Sequence, residues 1–281
     1  MTTLDLSSPR AKLGFALVAL AIGGFLFLPM LWLVLTSLKP EAEIFVQRPS
    51  LLPQSPTLLN YARALTRSEL PRQLWNSLVT AGGGALLTTA LAAMAGYSFA
   101  KFRYRGRRAL MLLMIAAQMF PFAVLLLSLH PLLQRAGLLD TRLGLVLSYV
   151  VFALPPGIYM LYSNFAAIPD DILEAARADG AGEWLILRRI VLPLSIPGLV
   201  TVGLYAFMWA WNDLLYALTL ITDPALRTVG PGLLLGYLGE ARSDWGGAMA
   251  ASLLASLPVV VAFGFVQRFF VQGLTAGAVK G

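Results

Sequence analysis

Six uncharged stretches punctuate the chain, at 13–38, 73–100, 109–134, 143–169, 190–212 and 245–267. Each reaches the roughly 20 mostly apolar residues that a membrane-crossing helix needs. No other uncharged run approaches that length. The pattern predicts an all-α membrane protein with six transmembrane helices. One six-span domain then covers 13–267, between a short N-terminal segment (1–12) and a tail (268–281). Arg10 and Lys12 precede the first run as they would in a secretory leader, but the run is longer than the usual 7–15-residue leader core. Trp32, near its far end, reads as an interfacial anchor, so the first span is taken as retained.

Composition agrees with the pattern. Of 281 residues, 58% are apolar and 12% charged, against about 25% charged in ordinary soluble domains. Mean hydropathy is +0.75. Such a chain is not a soluble enzyme, a disordered tail or a nucleic-acid module, and its partners include membrane lipid. The net charge of +7 therefore reads as cytoplasmic loops rather than as a nucleic-acid surface. With both termini inside, 12 of the 21 Lys and Arg fall in the cytoplasm, five of them between Lys101 and Arg108. The opposing loop at 39–72 carries five of its own, but the dense cluster favours N-in, C-in. There is no cysteine and one histidine, His130. That leaves no disulfide, thiolate nucleophile, or Cys- or His-rich metal centre.

None of the six runs contains Asp, Glu, Lys or Arg. A proton-driven carrier normally places one there, so a stand-alone secondary carrier is disfavoured. A membrane-embedded enzyme lacks the usual acid, base and metal residues. Gln118, Asn164 and Asn212 are polar at depth or at a span end, with Asp213 following. They serve either to bond neighbouring helices or to wall a hydrophilic path. Tyr205, Trp209 and Trp211 offer aromatic faces that suit a sugar, and equally suit an interfacial belt. Gln118, Tyr205 and Asn212 are the candidate path residues. Gly82, Gly83, Gly84, Ala92 and Gly96 form a small-residue stripe for close helix packing. Pro121, Pro131, Pro155, Pro156, Pro193, Pro197 and Pro258 are expected to kink or break helices.

The segment 170–193, between the fourth and fifth runs, reads as two short helices with a break. Asp171 is placed to cap the first, with Glu174 three residues later as in a capping box. Gly180 follows Asp179 as a left-handed stop. A second helix from about Glu183 carries Trp184, Leu187 and Val191 on one stripe and ends before Pro193. That stripe must be buried on lipid, on its own bundle or on another protein.

Glu174-Ala175-Ala176, three residues, Gly180, nine residues, then Ile190-Val191-Leu192-Pro193 resembles the EAA loop of binding-protein-dependent ABC importer permeases. The match to E-A-A-x3-G-x9-I-x-L-P is complete. Thr36–Pro40, Asn76–Leu78, Gly96–Phe102, Trp211–Asp213, Ala217–Ile221 and Gly273–Gly281 resemble the smaller permease of maltose-type carbohydrate importers. The likeness covers nearly the whole chain.

The resemblance implies a translocation subunit for a sugar, of di- or oligosaccharide size, in a bacterial or archaeal cytoplasmic membrane. Glycerol phosphate or a polyol is the alternative cargo. It implies two cytoplasmic ATPase subunits, a second non-identical permease and an extracytoplasmic sugar-binding protein. It also implies that the loop forms a coupling helix in a cleft of an ATPase subunit. Glu174 would pair with an Arg there, Ala175 and Ala176 would enter the cleft, and Gly180 would permit the turn. Gly277, Lys280 and Gly281 would reach between the ATPase subunits. The chain has no G-x-x-x-x-G-K-[ST] phosphate loop. ATP and Mg are therefore expected on the ATPase subunits, with no cofactor, metal or catalytic residue in this one.

Overall fold

The computed structural model describes residues 9–239 and 244–278, with side chains from residue 12 through 267 of that set. Lys280 and Gly281 lie outside the described residues. Every regular element among the described residues is helical: α1 (Pro9–Ser37), α2 (Leu59–Thr66), α3 (Leu70–Lys101), α4 (Arg107–Ala117), α5 (Phe122–Arg135), α6 (Arg142–Ala166), α7 (Asp170–Ala178), α8 (Glu183–Ile186), α9 (Leu192–Leu194), α10 (Ile196–Trp211), α11 (Leu215–Leu220), α12 (Val229–Tyr237) and α13 (Trp245–Ala278). Four of them, α1, α3, α6 and α13, are long and apolar enough to cross a membrane singly. Counting each of two bent pairs as one span brings the number to six.

The third and fifth apolar runs are thus not straight helices. The α4–α5 pair bends by 102°, and the helical stretch Glu183–Leu194 meets α10 at 81°. Proline is the cause in both. Pro121 has no N–H to continue the ladder and pushes the residue before it out of helical geometry. The chain instead turns through i→i−3 bonds at Gln118, Met119 and Phe120. At the second bend Ser195 leaves helical geometry (φ −106°, ψ 15°), and Pro197 falls in the first turn of α10, where a missing donor is tolerated. Pro131, Pro155, Pro156 and Pro258 lie within continuous helices.

The chain divides into two compact units. One holds residues up to Glu69 with Leu233–Leu254. Its connection after α1 is tied by polar bonds: Asn60 Nδ2 donates to the carbonyls of Ser37 and Lys39, each at 2.9 Å. The Glu43 carboxylate accepts from the amides of Gln54 and Ser55, each at 2.9 Å. The apolar side chains of α1, among them Leu17, Leu20, Phe25 and Phe27, are exposed, as suits a helix whose neighbours are lipid or another subunit.

The other unit holds Leu70–Gly232 and the helix after Ala255. Its spine is α3 against α6, with α10 packed on both. Small residues decide how close these helices come, because lipid supplies no hydrophobic force between them. A Cβ at Gly84 would stand 3.3 Å from the Tyr149 Cβ, and one at Gly96 3.1 Å from both Leu161 Cβ and the Tyr162 nitrogen. Gly82 meets nothing within 4 Å, so the stripe is a contact at Gly83, Gly84, Ala92 and Gly96 but not at Gly82. At the end of α3 opposite Lys101, buried Asn76 donates to the carbonyls of Ala225 and Arg227 and accepts from Arg142. Ser77 accepts from the Val229 amide. Asp140 (φ +55°) anchors the same loop from the α5–α6 turn, accepting from the Thr222 and Asp223 amides and the Thr222 hydroxyl.

Candidate functional site: a coupling segment and a cavity

The segment after α6 folds as two short helices, as its sequence pattern indicates, but its start differs. Pro169 occupies the N-cap of α7 in extended geometry and makes no side-chain cap bond, so no capping box forms between Asp171 and Glu174. The Asp170 carboxylate instead accepts from Lys101 Nζ at 2.7 Å. The end is as expected. Gly180 adopts φ +85°, its amide bonds the Arg177 carbonyl, and the Ala181 amide bonds the Ala176 carbonyl, each at 3.0 Å. These are the paired bonds of a Schellman motif, with Asp179 at the C-cap.

The two faces of α7 have different fates. Leu173 is wholly buried, and Ala176 packs beside it, in a cluster with Tyr97, Phe99, Phe165, Ile186, Leu187 and Val191. Glu174, Ala175 and Asp179 face outward. A helix that buries one stripe on its own bundle and shows a carboxylate and a small residue on the other can enter a cleft without disturbing its support.

The second helix also differs from expectation. Trp184 is 64% exposed while Ile186 is fully buried, so the inward stripe is Ile186, Leu187 and Val191. It does not stop before Pro193. A π-helical turn over Leu187–Val191 carries it into α9, with the Leu192 amide reaching the Leu187 carbonyl. Pro193 has no N–H for the Arg189 carbonyl, and widening the ladder by one residue absorbs that loss. Ile190 and Leu192 pack partly buried against the cluster, and Pro193 is exposed.

Three residues that the sequence reading gave no role hold this segment. Tyr97 O–H donates to Glu183 Oε2 at 2.6 Å, and Arg177 Nε donates to Glu183 Oε1 at 2.8 Å. Lys101 Nζ donates to the Ile168 carbonyl as well as to Asp170, both at 2.7 Å. The Lys101 bond, first of all, keeps the Asp170 carboxyl below the ordinary aspartate value. The i, i+4 spacing of Tyr97 and Lys101 at the end of a span was the available signal.

Gln118, Tyr205 and Asn212 come together. They line one cavity of about 890 Å³, whose wall also includes Phe122, Phe152, Trp209 and Asp213. The bend at Pro121 turns Gln118 into it. Phe152 stacks on Trp209 with ring centres 5.0 Å apart, and Phe122 meets Trp209 edge-on at 5.1 Å. Trp211 lies outside this wall, buried and stacked on Phe207. Asp213 is the one charged residue among those lining the cavity. Its carboxylate is already held by Tyr149 O–H and by the amides of Tyr216 and Ala217. Gly277 falls in the helical backbone of α13, which continues to Ala278.

Residues 88–276 match the family described as "Binding-protein-dependent transport system inner membrane component". The sulfoquinovosyl glycerol transport system permease protein SmoH of Agrobacterium fabrum is 37% identical over 253 residues, 90% of this chain and 88% of that protein. The trehalose transport system permease protein SugB of Mycobacterium tuberculosis is 36% identical over 273 residues, 95% of this chain and 97% of that protein. Among solved structures, a bacterial ABC transporter involved in import of the acidic polysaccharide alginate aligns with TM-score 0.80 at 22% identity, covering 96% of this chain and 100% of the other. The chain belongs to the family of inner membrane components of binding-protein-dependent transport systems, with the helical fold of an ABC importer permease.

Proposed function

We propose that this chain forms half of the path for a di- or oligosaccharide, and that α7 is the helix through which ATP hydrolysis drives it. The observation that carries the reading is the two-faced α7: Leu173 buried, Glu174 and Ala175 presented outward, and the turn closed by Gly180. Glu174 then pairs with an Arg of a cytoplasmic ATPase subunit. Two such subunits hold ATP and Mg, a second non-identical permease completes the path, and an extracytoplasmic binding protein delivers the sugar. In this arrangement both termini, α7 and the Lys101–Arg108 loop are cytoplasmic. The C-terminal tail from Gly277 reaches between the ATPase subunits, and this chain itself catalyses nothing.

The cargo class rests on two supports. The similar SmoH and SugB carry names of sulfoquinovosyl glycerol and trehalose transport, respectively. The cavity offers aromatic faces, a phenol and two amides with no Lys or Arg in its wall, which suits hydroxyl groups and makes a phosphate a poor guest. The test is the assembled complex in proteoliposomes with its binding protein. Glu174→Ala is expected to leave the subunits folded but to uncouple ATP hydrolysis from uptake. Gln118→Ala with Asn212→Ala is expected to slow uptake at unchanged basal hydrolysis. Wild-type uptake in Glu174→Ala removes the coupling reading, and wild-type uptake in the double variant removes the path.

A further inference from the structure

We infer that Tyr97 and Lys101 are positioning residues of the transport cycle, making α3 a moving part of the coupling machinery with Glu183 as its tie to α7. This rests on α7 being the coupling helix. The chain connects the coupling segment directly to α6 before it and to α10 after it. No such connection links it to α3, whose C-terminal turn grips the segment at both ends instead.

At the near end, the Lys101 side chain is 4% exposed and its ammonium is shared between the Ile168 carbonyl, where α6 ends, and Asp170, where α7 begins. At the far end, Tyr97 is 4% exposed and its hydroxyl reaches the Glu183 carboxylate. The other oxygen of that carboxylate holds Arg177 in the last turn of α7. Between the two grips, Leu173 and Ile186 are fully buried with Tyr97 and Phe99. The exposed Arg177–Glu183 pair contributes little stability by itself. What it adds is registration: a single carboxylate fixes one end of α7 to a buried hydroxyl on a 32-residue helix. A displacement of α7 is therefore passed to α3, and from there to α6 and α10, which pack along it.

The experiment uses the assembled complex in proteoliposomes, with uptake and ATP hydrolysis measured together. Tyr97→Phe keeps the ring and removes the hydroxyl; Glu183→Gln keeps the shape and removes the charge. Each is expected to hydrolyse ATP within about twofold of wild type while sugar carried per ATP falls about fivefold or more. Combining them is expected to cost no more than either alone, because they break one link. The chain has no cysteine, so Met94→Cys on α3 and Ala178→Cys on α7 can carry spin labels at exposed positions. Their separation is expected to hold through ATP turnover and to vary once Tyr97→Phe is added.

Unchanged sugar per ATP in both variants overturns the inference. So does a wild-type label separation that changes by about a helical turn, ~5 Å, during turnover, a result that stands even if a variant fails to assemble. Glu174→Ala separates the two claims. If it uncouples while Tyr97→Phe and Glu183→Gln do not, only the role of α3 is lost. If it too is silent, the coupling helix is lost with it.

Discussion

A Cβ added to Gly96 would lie 3.1 Å from the Cβ of Leu161, so α3 and α6 touch there with only a hydrogen's width to spare. The obstacles are a Cβ and the Tyr162 backbone nitrogen, neither of which can swing aside. Gly96→Ala must push the two helices apart, and overpacking of this kind costs about 1–3 kcal/mol. Gly82→Ala meets nothing within 4 Å and removes a flexible residue from a helix, a gain of up to about 1 kcal/mol. Thermal unfolding of the detergent-purified protein should shift downward for the first and stay level or rise for the second.

Gly180 makes a separate prediction, because its constraint is purely backbone. Its φ of +85° disfavours any L side chain, although nothing lies within 4 Å of the added carbon. Gly180→Ala is expected to cost about 1–2 kcal/mol, Gly180→Asn less because Asn tolerates the left-handed region, and Gly180→Val more. Sugar uptake per ATP should follow that order. An order that tracks side-chain volume instead, with Asn worse than Ala, would point to a clash with the ATPase subunit.

Asp140 combines a left-handed φ with three hydrogen bonds accepted from Thr222 and Asp223. Partial burial works to raise its pKa, yet the Asp223 amide, the Thr222 hydroxyl and the Thr222 amide together keep it below 3.8. Asp140→Ala loses all three bonds and strains the backbone. These bonds are exposed, so water can take the freed donors and each lost bond costs about 0.5–1.5 kcal/mol. Asp140→Asn keeps the tolerated conformation and should lose less. Limited proteolysis of the 222–229 loop would read the difference.

The Arg177 guanidinium, and after it the Tyr97 hydroxyl, hold the Glu183 carboxyl below its ordinary 4.5. A depressed carboxylate stabilises the fold above its unfolded value, and that stabilisation is lost as pH falls through the lower folded value. The melting-temperature gap between wild type and Glu183→Gln should therefore be flat above pH 4.5 and close below it. A gap that opens near neutral pH would mean another group is titrating.

Much of this molecule is legible along one dimension. Apolar runs free of charge can only be buried in lipid or in each other, so length and hydropathy specify where the membrane elements lie. Gly180 declares a helix stop because few other residues accept its φ. Local reading failed wherever a partner from elsewhere took a residue. Asp171 is placed by sequence to cap α7, but Pro169 takes the cap position and Lys101, 69 residues before Asp170, holds the carboxylate beside it. Trp184 falls on one periodic stripe with Leu187 and Val191, yet it is exposed where they are buried, because periodicity shows that a helix has two faces, not where its neighbours stand. The bends at Pro121 and Pro197 followed from residues in plain view, yet their angles of 102° and 81° depend on packing. Gln118, Tyr205 and Asn212 were separable only as polar or aromatic residues at span positions. That they share a wall with Phe122, Phe152 and Trp209 is a property of three-dimensional convergence, as is the grip of Tyr97 and Lys101 on a helix more than 60 residues away. Sequence determines which groups a helix must bury or show, because solvation acts residue by residue. Tertiary structure decides which of those groups meet, because contact depends on the relative placement of helices that no local pattern encodes.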